Sequence, residues 1–111
     1  MGFGTGDEFK LKVIDSEGSP GAAESALHKT VFEDHPIAVV GPIISKTASA
    51  VADECEQYKM PCLSLSQKSQ ITKDKSYVFS HSLNSEHIAK FLVSQAMQKG
   101  YRKFAILYPD D

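Results

Sequence analysis

Several things this chain lacks narrow its function early. No apolar run approaches the roughly 20 residues needed to cross a bilayer. The first ten residues, MGFGTGDEFK, have no apolar stretch of the signal-peptide kind. That start leaves two expectations: a cytosolic protein, or an excised part of an exported one. Charge of one sign is also scarce. The formal net charge is −2 at pH 7, and the densest basic group is Lys68, Lys73 and Lys75. Such a balance gives no reason to expect nucleic acid as a partner. There are two cysteines, Cys55 and Cys62, and they match neither a CxxC nor a zinc spacing. They are expected to be small buried hydrophobes, with a disulfide between them left open.

Chemistry-bearing motifs are equally sparse. The sequence has no GxSxG elbow and no GxxxxGK phosphate loop. The four histidines, His28, His35, His81 and His87, do not pair at metal-ligand spacing on one helix face. They are expected to be solvated or capping residues. His81, at the end of an expected strand, is the one placed to touch a ligand. No catalytic residues, no metal site and no cofactor are expected.

What is present is a regular alternation. Residues 37–40 (IAVV) form a short, wholly apolar run that Gly41 and Pro42 end abruptly. Such a run suits a strand buried on both faces of a parallel sheet. Ser45 then opens a helical pattern, in which Ala48, Val51, Ala52, Cys55 and Tyr58 share one stripe. Upstream, alternation at Phe9, Leu11 and Val13 predicts a strand. Ser19 followed by Pro20 predicts a helix start, and Pro36 predicts its end. Ala23, Ala26, Leu27, Thr30 and Val31 recur along that helix. Downstream, residues 62–65 and 77–79 read as strands, separated by a polar loop over 66–75. Asn84 is placed to cap a last helix, with Ile88, Phe91, Leu92 and Ala96 as its core stripe. Lys99 and Gly100 suit its end, and residues 104–108 (FAILY) read as a final strand. Residues 109–111 read as a loop.

Strands alternating with helices predict crossover units. The expected fold is α/β: a three-layer, mostly parallel sheet with helices on both faces, flavodoxin- or Rossmann-like. In such sheets ligands bind beyond the carboxyl ends of the strands. Here those ends are rich in hydroxyls (Ser45, Thr47, Ser64, Ser66 and Ser69), which suits hydrogen-bonding recognition better than bond breaking. Free N–H groups at the helix start near Ser45 favour a carboxylate or another anionic group. A receiver-domain reading is suggested by Asp110 and Asp111, but that fold places its acidic pair after the first strand.

Five stretches in order, DSEGSP from Asp15, VGPIIS from Val40, PCLSLSQK from Pro61, YVF from Tyr77 and FAILYPDD from Phe104, resemble the amino-terminal lobe of type I periplasmic solute-binding proteins. The group is that of the branched-chain amino-acid receptors, and LSQK and LYPDD look most like a lipoprotein subgroup of penicillin-binding-protein activators. The resemblance implies two α/β lobes that close on a ligand, located in the periplasm or anchored outside the cytoplasmic membrane. Residues 1–7 are glycine-rich and read as a disordered or vector-derived start; the resemblance makes residues 8–111 a partial lobe lacking its first strand and helix. It carries ligand contacts onto Ser45 and Thr47 after the Gly-Pro turn, and onto Ser66 and Gln67 after the next strand. Lys68 and His81 complete the candidate set. Gln67-Lys68 stand where the receptor pattern has a small residue followed by Ser or Thr.

The implied function is an extracytoplasmic solute-binding module. Its ligand would be small and polar, an amino acid or peptide-like molecule, and its partner the membrane component of an ABC transporter or a receptor. The alternative is a non-catalytic adaptor that regulates a cell-wall synthase. A missing first strand would expose a strand edge, and the chain is expected either to re-pair its sheet or to self-associate through that edge.

Overall fold

The computed structural model describes residues 8–108. The expectations for residues 1–7 and 109–111 lie outside the described residues. The elements in order are α1 (Pro20–Asp34), β1 (Val39–Val40), α2 (Ser45–Gln57), β2 (Cys62–Ser64), β3 (Val78–Ser80) and α3 (Ser85–Gln98). The sheet has three parallel strands in the order β1-β2-β3. Its register pairs Val39 with Cys62, and Cys62 with Val78. The fold is thus α/β with a parallel sheet, as the alternation predicts.

Local chemistry sets the boundaries. Pro20 occupies the first helical position of α1, where its missing N–H leaves no bond unmade. The helix ends at His35, which takes left-handed dihedrals (φ 48°), and Pro36 prevents its continuation. α3 starts as expected, with Asn84 Oδ1 accepting from the His87 N–H at 2.9 Å.

The core lies where α1, α2 and the sheet meet. Its buried members are Ala23 and Leu27 from α1, Ala48, Val51, Ala52 and Cys55 from α2, Cys62 and Val78 from β2 and β3, and Ile71 from the loop between those two strands. The stripe read from the sequence of α2 is therefore its buried face, with Tyr58 half-exposed just past its end. Tyr58 joins α2 to α1 through a 2.6 Å hydrogen bond with His28 Nδ1 and an edge-on contact with Phe32. Both cysteines are free and buried. The Cys62 thiol donates to the Gly41 carbonyl at 3.6 Å. Contact with the Cys62 thiol, followed by burial, pushes the Cys55 pKa well up and keeps that thiol protonated.

The polar loop over 66–75 is anchored from α2. Glu56 accepts from the Ser76 N–H at 2.9 Å and the Tyr77 N–H at 2.9 Å, and these two bonds hold its carboxyl below the usual carboxylate value. A depressed carboxyl contributes stability that is fully present above its unfolded-state value and is lost as pH falls through its folded-state value. Thermal melts across the acid range are therefore expected to fall as Glu56 protonates. A Glu56→Gln variant should start lower near neutral pH and lose less on acidification. Parallel curves for the two proteins would refute that role.

Two sequence expectations are corrected. Residues 9–14 and 104–108 form no strands. A strand needs a neighbour to bond its backbone, and among the described residues the sheet consists of β1, β2 and β3. The stripe expected to bury α3 is also unburied: α3 has no buried residue, and Phe91 and Leu92 are 64% and 61% exposed. Among the described residues, α3 packs on no other element. The chain leaves the sheet at β3, the outer strand, and the Ser85 N–H bonded to the Gln67 carbonyl at 2.8 Å ties the helix start to the loop after β2.

Candidate functional site

The carboxyl ends of β1 and β2 open onto the start of α2. Gly41 ends β1 with φ 108°, in a conformation that L side chains rarely adopt. A cis peptide joins it to Pro42. The Pro42 carbonyl accepts from the Leu65 N–H at 3.3 Å, which binds this turn to the end of β2. After the turn, α2 begins at Ser45 with Ile44 in the cap position, so no side chain caps it. The first helical bond is from the Ala48 N–H to the Ile44 carbonyl, at 2.8 Å. The amides of Ser45, Lys46 and Thr47 therefore have no hydrogen-bond partner among the described residues. There is no acidic residue in this first turn to offset the dipole.

A group of hydroxyls surrounds those amides. Ser45 Oγ and Ser66 Oγ share a hydrogen bond at 3.1 Å. Ser66 is buried, and its Oγ also accepts from the Lys68 N–H at 3.1 Å. Its own N–H donates to Ser64 Oγ at 3.3 Å. One turn along α2, Ser49 Oγ donates to the Ser45 carbonyl at 3.2 Å and receives the Lys68 ammonium. The result is a hydroxyl-lined edge carrying one cation, beside three unpartnered amides. Positive charge and free donors converge here, so the chemistry suited to this place is recognition of an anionic oxygen group.

The structure brings Ser45, Ser66 and Lys68 together. Thr47 is fully buried, with its hydroxyl donating to the Ile44 carbonyl at 2.9 Å, so only its amide faces the site. Gln67 is exposed and contributes its carbonyl to the start of α3. His81 follows β3; its N–H donates to the Ser64 carbonyl at 3.2 Å, and its exposed ring lies at the same sheet edge. Neither Gln67 nor His81 bonds to the Ser45–Ser66–Lys68 group. Ser49 is a residue that sequence reasoning missed. The available signal was its spacing: four residues after Ser45 on a helix is the same face, one turn on.

Among the described residues, no three His, Cys, Asp or Glu side chains converge to hold a metal ion. No helix among them is long and apolar enough to cross a membrane.

No curated protein and no solved structure matches the chain. A family model described as periplasmic binding protein matches residues 2–111. With the parallel α/β sheet and the hydroxyl-lined strand ends in place, that match is the conclusion: the chain belongs to the periplasmic binding protein family, whose members are in general non-catalytic, bind solutes and lie outside the cytoplasm.

Proposed function

We propose that this chain forms half of a cleft that closes on a small polar ligand bearing a carboxylate, an amino acid or peptide-like molecule. The carboxylate is seated at the start of α2. The unpartnered amides of Ser45, Lys46 and Thr47 donate to it, the Ser45 and Ser66 hydroxyls flank it, and Lys68 balances its charge. Gln67 and His81 stand at the rim, where a second lobe would meet the ligand. Residues 8–111 then make up part of the first lobe, and the closed protein delivers its ligand to the membrane component of an ABC transporter or to a receptor. One observation carries the reading: three helix-start amides without a partner among the described residues adjoin a hydroxyl pair and a lysine, with no acidic residue in the first turn of α2.

A second reading is the adaptor that regulates a cell-wall synthase, from the lipoprotein subgroup. The exposed Gln67 and Lys68 favour it, because a bulky amide and a cation on this edge suit a protein surface as well as a free amino acid.

Amide chemical shifts of the isotope-labelled chain, titrated with amino acids, dipeptides and their amidated counterparts, separate the two. The carboxylate reading expects saturable shifts centred on Ser45, Lys46, Thr47, Ser66 and Lys68, and expects none with the amidated ligands. Shifts that are identical with and without the carboxylate, or no shifts at any ligand concentration, overturn it in favour of the adaptor.

A further inference from the structure

Two nucleophilic groups lie outside the candidate site, the thiols of Cys55 and Cys62. Cys62 stands in the middle strand of the sheet, paired with Val39 on one side and Val78 on the other. Successive side chains of a strand alternate between faces. Cys62 and Ser64 are buried on one face of β2, and Leu63 is exposed on the other. The buried face is the one that α2 covers.

Cys55 lies in the last turn of α2, on its buried face with Val51 and Ala52. The chain reverses directly after it. Lys59 takes left-handed dihedrals (φ 53°), and the Met60 N–H donates to the Cys55 carbonyl at 2.8 Å. Pro61 then leads into β2. The reversal returns Cys62 to Cys55, and the two thiols meet. They are 0% and 2% exposed, and they are the two cysteines of the chain.

Location gives this contact its chemistry. The family lies outside the cytoplasm, where disulfides form and persist. Thiols held in contact act on each other at a high effective concentration. From the reversal after α2, the shared face of β2 and the compartment, we propose that Cys55 and Cys62 are joined in the exported protein by a disulfide that fastens the end of α2 to the middle strand. The oxidant is an external disulfide, of the kind a thiol–disulfide exchange catalyst carries. One cysteine thiolate attacks a sulfur of that disulfide, forming a mixed disulfide and releasing one thiol. The second thiolate attacks the cysteine sulfur of the mixed disulfide, closing the Cys55–Cys62 bond and releasing the other thiol. Two electrons pass from the pair to the oxidant, and the released thiols take up the two protons. Both sulfurs are out of reach once the core has closed, so the exchange belongs to folding, before α2 has settled on β2. The same burial then shields the finished bond from reductants. The bond also takes away the hydrogen that Cys62 gives to the Gly41 carbonyl at 3.6 Å. This inference uses the location of the family and is independent of the ligand reading.

Refolding of the whole chain in a mixture of oxidised and reduced glutathione tests it. The chain is reduced and unfolded, refolded in that mixture, quenched with acid, alkylated in denaturant and weighed by mass spectrometry. The expected product is a single chain, lighter than the reduced form by two hydrogen atoms and carrying no alkyl group. Trypsin cuts after Lys59, between the two cysteines, so the peptides on either side are expected joined before reduction and separate after it. In the folded chain the bond should survive a reductant about a hundredfold longer than in denaturant. The bridged chain should also melt roughly 5–10 °C above the reduced one. Free thiols, glutathione adducts or chains linked to each other overturn the proposal. So does a bond cut equally fast in the folded and the denatured chain, which places it outside the core. A bridged chain that melts below the reduced one overturns it too, because the bond then strains the fold instead of fastening it.

Discussion

Leu27→Ala is expected to lower the stability of the chain by about 2–3 kcal/mol, the lower part of the range for large-to-small core substitutions. Leu27 is 6% exposed, and α1 otherwise contributes Ala23 as its buried apolar residue. The core contains three alanines and two cysteines among its buried members, so Leu27, Val51, Ile71 and Val78 supply most of its bulk. Of these four only Leu27 lies on α1, so its removal deprives α1 of its main anchor against α2. Leu27 also borders the groove beside β1. Water can therefore enter part of the space left behind, and the cost stays below that of a sealed cavity. For a domain of this size the melting temperature should fall by roughly 10–20 °C. Leu107→Ala is the matched control: Leu107 is fully exposed, and its replacement should shift stability by no more than about 0.5 kcal/mol. Equal melting temperatures for wild type and Leu27→Ala would show that α1 does not stabilise this core.

On the proposed carboxylate reading, Lys68→Met should weaken binding about tenfold to a hundredfold, corresponding to the loss of a hydrogen bond to a charged group, about 1.5–3 kcal/mol. Lys68 is exposed, and its ammonium is held at Ser49 on the first two turns of α2. Methionine retains the length and apolar stem but removes charge and donors, so the melting temperature of the free protein should barely move. Added salt separates charge from shape. Wild-type affinity should fall as ionic strength rises, because an exposed pair is screened, whereas the Met variant should respond much less. An unchanged dissociation constant in Lys68→Met, measured by the same amide-shift titration, would remove Lys68 from the site.

The sequence was legible where one segment determined its own state. Pro20 and Pro36 bracket α1 because proline is tolerated at a helix start and excluded beyond its end. The α2 stripe was legible because its period alone selects the buried face. Asn84 was legible because capping is a contact within a few residues. Segments 9–14 and 104–108 were misread for the opposite reason. Their alternation and composition describe what would pack in a sheet, and pairing depends on a neighbour that no local pattern supplies. The same holds for α3, whose apolar stripe is present in the sequence and packs on no other element among the described residues. At the candidate site, Ser45 and Ser66 could be placed by their positions after strand ends. The inward turn of the Thr47 hydroxyl depends on the carbonyl three residues before it, and the role of Ser49 on a lysine from another element.

The buried Ser66 hydroxyl has one more consequence. It meets Ser45 and also accepts the Lys68 N–H, so the spacing between the α2 start and the lysine is fixed by a group below the surface. On the proposed reading, a ligand at this place would meet donors already arranged, and little chain entropy would be lost on contact. Discrimination among carboxylates should then reside in how quickly each one leaves rather than in how quickly it arrives.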